Sequence, residues 1–139
     1  MYSPNLKTFF LILFCLFAIG CGSNSPEGTV GNIIESINRV TSSIEDNNAN
    51  EFMSAMTEFK KSSESFKDSP ELQWLQDNKD TVEAEALEMK LSFAMRDYNR
   101  AMMDVRSNRK FMEAFASDPK KLKWLRETIP GLANFWNIN

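Results

Sequence analysis

The chain has no histidine and only two cysteines in 139 residues. Without an imidazole, Ser-His-Asp and Cys-His catalysis, His-ligated zinc, the Glu-x-x-His di-iron site of helical bundles and haem attachment through Cys-x-x-Cys-His are all excluded. Glycine and proline number five each, and no run alternates Val, Ile or Thr with polar residues, so a turn-rich or half-buried sheet finds no support. No Gly-rich phosphate loop and no EF-hand spacing occurs. The sequence therefore calls for no cofactor and no metal.

What is present is helix-forming. Hydrophobic residues make up 42% and charged residues 25% of the chain, a globular composition with enough apolar surface for one small core. The reading is an all-α fold, a small helical bundle of about four to six helices. Val30, Ile33, Ile34, Ile37, Val40 and Ile44 recur at steps of three and four and predict a first helix over 30–45. A second is predicted over 50–67, with Phe52, Ala55, Met56, Phe59 and Phe66 on one face. The short Asp46-Asn47-Asn48 link makes the two a helical hairpin.

Two later stretches echo each other. Ser69-Pro70 leads into Leu72-Gln73-Trp74-Leu75, and Asp118-Pro119 leads into Leu122-Lys123-Trp124-Leu125. In each, Ser or Asp is a ready N-cap and Pro suits the first helical position, where its missing N–H costs nothing. Between them a central heptad-like helix is predicted over about 80–106, opened by Asp80 with Glu83 as a capping box. Its seam is Ala84, Leu87, Leu91, Ala94, Tyr98, Ala101 and Val105, and a second stripe of Val82, Ala86, Met89, Phe93 and Met103 runs beside it. A helix apolar round most of its girth is expected to be enclosed. A break is predicted near Ser107-Asn108, because an unbroken helix would be too long for a compact domain of this size.

The longest apolar run is Phe9 to Ile19, only 11 residues, and Lys7 is the sole charge among the first 26. A membrane-spanning helix needs about 20 apolar residues. Gly20, Gly22, Ser23, Asn24, Ser25 and Pro26 stop this run far short of that, so residues 1–20 read as a secretory signal peptide. Ala18-Ile19-Gly20-Cys21 resembles the lipobox of bacterial lipoproteins, in which an aliphatic residue and small residues precede an obligatory Cys. Ala18 stands where that class most often has Leu. Cys15 does not fit the pattern, since bulky Phe14 precedes it. The resemblance implies a diacylglyceryl group on the Cys21 thiol, cleavage before Cys21 and acylation of the new amino terminus. It also implies a mature chain with no free thiol and, because Gly22 is not Asp, residence in the outer membrane of the cell envelope. Residues 21–28 are then the lipidated Cys and a flexible tether, and 29–139 a single helical domain.

The formal charge is −3, which gives nucleic-acid binding no support. Its distribution is uneven: Gly22 to Asn99 holds 7 basic and 15 acidic residues, while Arg100 to Asn139 holds 8 basic and 4 acidic. Arg106, Arg109, Lys110, Lys120, Lys121, Lys123 and Arg126 are candidates for contact with anionic lipid headgroups or another anionic envelope polymer. The apolar tail of Leu132, Phe135, Trp136 and Ile138 is expected to dock back on the core, and the alternative is an exposed end, for which Trp124, Phe135 and Trp136 are the candidates for contact with a protein partner. Glu83, Glu85, Glu88, Asp97 and Asp104 are the carboxylates from which an acid-base enzyme would draw. The methionines are read as core fillers. The function expected is that of a membrane-anchored binding or structural module without catalytic activity.

Overall fold

A computed structural model describes residues 25–138, and these form seven helices joined by short turns. They are α1 (Pro26–Glu45), α2 (Ala49–Lys67), α3 (Pro70–Asp77), α4 (Val82–Ser107), α5 (Arg109–Ala116), α6 (Pro119–Thr128) and α7 (Pro130–Phe135). The all-α fold expected from the composition is present. The helix number exceeds six because the stretch after α4 is divided among three short helices.

Local caps explain the boundaries. The Ser25 side chain accepts from the Gly28 N–H at 3.0 Å and Pro26 takes the first turn, so α1 begins inside the segment expected to be a tether. Ser69 accepts from the Leu72 N–H at 3.2 Å ahead of Pro70. Asp118 accepts from the Lys120 and Lys121 N–H groups at 2.9 and 3.4 Å ahead of Pro119. α4 is capped by Thr81, which accepts from the Ala84 N–H at 3.3 Å, one residue later than Asp80. Asn108 ends α4 in an extended conformation and caps α5, accepting from the Phe111 N–H at 3.0 Å. The break falls where the sequence placed it.

α1 is the hub, in contact with α2, α3 and α4. Val30 shares a cluster with Leu75, Ala84 and Leu87, Ile33 and Ile37 pack with Ala94, and Val40 and Ile44 cluster with Ala101 and Val105. Positions rise together along both chains, so α1 and α4 run parallel. Ser36 and Ser43 are buried on the side of α1 toward α2, and their hydroxyls donate to the Ile33 and Val40 carbonyls at 2.9 and 2.6 Å. No unsatisfied group results.

The largest core cluster fills the far end, where α5, α6 and α7 fold over the start of α2. Phe52, Phe111, Phe115 and Leu125 are fully buried there. Phe52 meets Phe111 edge-on with ring centroids 5.0 Å apart, and stands edge-on to Phe115 and Trp124 at 6.0 and 6.1 Å. Arg39 fixes the hairpin from outside: its guanidinium donates to Glu51 at 2.7 Å and pairs with Glu58.

The heptad seam of α4 is its inner face, with Ala84, Leu87, Ala94, Ala101 and Val105 buried. The second stripe is not enclosed. Val82, Met89, Phe93 and Met103 are exposed, so α4 flanks α1 and does not occupy the middle of the bundle.

Candidate functional site

The residues singled out in the sequence meet different fates in the fold. Cys21 lies outside the described residues. Of the aromatic candidates, Trp124 and Trp136 are claimed by the core. Trp124 packs on Phe52 and stacks against Phe115 with centroids 6.2 Å apart. Trp136 lies 6.3 Å from Phe115 and 6.5 Å from Phe111, and its indole Nε1–H donates to the Arg106 carbonyl at 3.0 Å. Both rings are half-buried against the aromatic cluster, and that packing, with the Trp136 hydrogen bond, holds these two side chains to their own fold. Phe135 alone of the three is exposed, with the Arg106 guanidinium 5.3 Å over its ring.

The basic candidates are spread over the end of α4, α5 and α6. Arg109 donates to Glu113 at 2.8 Å, Lys123 approaches Glu127 at 3.8 Å, and Arg126 donates to the Ile138 carbonyl at 3.3 Å, holding the tail. Arg106 is engaged with Phe135, while Lys110 and Lys120 are exposed and Lys121 is half-buried. Four of the seven are thus occupied within the fold, and exposed ion pairs of this kind are worth ~0–1 kcal/mol.

The carboxylates of α4 divide: Asp97 and Asp104 line a groove of about 410 Å³ with Glu45, Arg100 and Asn108, and Glu83, Glu85 and Glu88 do not join them. Glu83, Glu85, Glu88 and Asp104 are exposed, and Asp97 pairs with Arg96 at 3.5 Å. Among the described residues no group of three or more Asp or Glu side chains is placed to hold a metal ion. Acidic side chains do gather where the sequence did not point. A groove of about 540 Å³ between α1, α2 and the start of α3 is lined by Glu35, Glu58 and Glu71 with Lys61, Ser62 and Ser65. Glu58 is already paired with Arg39, and Glu35 is exposed. The run Lys61 to Ser65, rich in serine within a helix, was the signal for a polar groove here.

The methionines divide. Met56 is buried and accepts a long hydrogen bond from the Tyr98 hydroxyl at 3.8 Å, and Met53 and Met102 pack on the same cluster. Met89 and Met103 are in water, contrary to a core-filling role. Burial in this cluster pushes the Tyr98 phenol pKa up.

No described helix is long and apolar enough to cross a membrane. No protein-family model matches the chain, and no similarity to a curated protein or to a solved structure was found.

Proposed function

We propose that the protein is a bacterial cell-envelope lipoprotein, anchored by acyl groups on Cys21, whose helical domain works by binding or by structural support and not by catalysis. The observation that carries this reading is Ala18-Ile19-Gly20-Cys21 at the end of an 11-residue apolar run. One acyl chain gives weak attachment, while two or more give stable residence at the membrane. Nothing further is then required of the folded domain to keep it there, and the absence of a long apolar helix among the described residues is compatible with such an anchor. Support for a non-catalytic role comes from the histidine-free sequence and from the exposure of Glu83, Glu85 and Glu88 on α4.

The test is direct. Mass spectrometry of the mature amino terminus should find a lipid-modified Cys21, and Cys21→Ser should release the protein from membranes or halt its processing. A mature chain carrying an unmodified thiol at position 21 overturns the proposal.

A further inference from the structure

The fold sorts its methionines into tiers. Met56 is 5% exposed, and Met53, Met95, Met102 and Met112 are half-buried. Met89 and Met103 are 51% and 68% exposed on the outer face of α4, about 21 Å apart along the helix at ~1.5 Å per residue. Methionine is ordinarily kept inside, where its flexible chain fills irregular gaps. That use does not apply to Met89 or Met103, since neither belongs to a core cluster among the described residues. What each offers to water is its thioether.

A thioether is oxidised when a sulfur lone pair meets the oxidant, so access sets the order of reaction. At Met56 the sulfur lies within the main core cluster and accepts from the Tyr98 hydroxyl at 3.8 Å, so burial and a hydrogen bond both shield it. The product separates the tiers further. A sulfoxide is polar, and at Met56 it would sit in the apolar cluster around Phe52 and Ala55, where an unpaired polar group is costly. On the outer face of α4 the same group is solvated, and no packing is lost.

We propose that Met89 and Met103 are oxidation sites of the folded domain, which reduce a peroxide at the outer face of α4 and carry the product without loss of structure. In the step, a sulfur lone pair attacks one peroxide oxygen, the O–O bond breaks and an S–O bond forms. The departing hydroxide takes the proton from the transferred oxygen and leaves as water. Each sulfur loses two electrons, and the peroxide gains them. Sulfoxide can be returned to thioether enzymatically, so the pair can act repeatedly, and while oxidised it makes that face of α4 more polar.

Hydrogen peroxide in excess over the purified full chain, followed in time by peptide mass spectrometry, tests this. The first product should carry two added oxygens, mapped to Met89 and Met103. Met56 should react at least about ten-fold more slowly, the factor that ~1.4 kcal/mol of local opening imposes. Circular dichroism at the two-oxygen stage should show unchanged helix content and melting midpoint, and the midpoint should fall only as Met56 is converted. In the Met89→Leu/Met103→Leu variant the fast phase should vanish while the other methionines keep their rates; Leu suits an exposed helix position, so this variant folds. First oxygens on Met53, Met95, Met102 or Met112, a Met56 rate equal to that of Met103, or a midpoint that drops with the first two oxygens overturns the proposal. Chain isolated from intact cells exposed to peroxide should show the same order, and protection of Met89 and Met103 there also overturns it. The readout is resolved peptide by peptide and is independent of what Cys21 carries, so failure here is distinct from failure of the lipid anchor.

Discussion

Phe52 is fully buried and stands edge-on to Phe111, Phe115 and Trp124, three rings contributed by α5 and α6. Replacing it with Ala removes the shared partner of all three and leaves a cavity that rigid aromatic neighbours cannot collapse. The expected cost is ~3–5 kcal/mol, against a total stability of roughly 5–15 kcal/mol for a domain of this kind. Urea denaturation followed by circular dichroism should show the midpoint of Phe52→Ala falling by that measure, and an unchanged midpoint would show that the C-terminal helices do not depend on this ring. The sequence marked Phe52 as core through its spacing with Ala55, Met56 and Phe59. For Trp136 it favoured docking on the cost of exposed apolar area alone, since a tail of Phe, Trp and Ile carries the same pattern whether it docks or waits for a partner. What decides the matter is a hydrogen bond across 30 residues to the Arg106 carbonyl, and no local pattern encodes it.

Asn108 does the work of a joint between two elements. Its backbone ends α4, its side-chain oxygen caps α5, and its Nδ2 donates to Asn47 Oδ1 at 2.9 Å, tying the α4–α5 break to the α1–α2 turn. Asn47 itself sits at φ 54, in the left-handed region that Asn tolerates better than most residues. Asn108→Ala should cost ~1 kcal/mol through the lost cap. Asn108→Asp keeps the acceptor for the Phe111 N–H and loses only the exposed donor, so it should retain most of the stability. Thermal melts of the two variants side by side would separate cap from tie, and equal losses would assign the effect to the tie.

The element boundaries were largely legible because Ser, Asp and Pro at the caps act locally. The enclosure of α4 was not, since both of its seams step by four and three. The difference lies in size: Ala84, Ala94 and Ala101 let α1 approach closely, whereas Met89 and Phe93 would hold it away. The candidate sites were less legible than the elements. Spacing within one helix brought Asp97 and Asp104 to a common groove, but their acidic neighbour there is Glu45 of α1, and another groove is assembled from Glu35, Glu58 and Glu71 on three helices.

For the molecule as a whole, the missing histidine has a thermodynamic side. No side chain here has an ordinary pKa near 6.5. The resolved shift with a consequence for pH is that of Tyr98, raised above its ordinary value of 10.0 by burial. Its neutral form is favoured in the folded state, so its contribution is complete below about pH 10 and is lost as pH rises through the higher folded value. Stability measured from pH 9 upward should therefore fall more steeply in the wild type than in Tyr98→Phe. Parallel curves would mean that the phenol ionises without disturbing the cluster.

The cap at Ser25 bears on where the molecule can act. With Cys21 acylated as proposed, four residue spacings separate the lipid from the first rigid turn, a leash of at most about 14 Å. The headgroup layer on each side of a bilayer takes up ~5–8 Å of that. The domain then grazes the bilayer and searches in two dimensions, and it meets only what lies on, or is brought to, the membrane surface. Reach, more than affinity, would set its choice of targets.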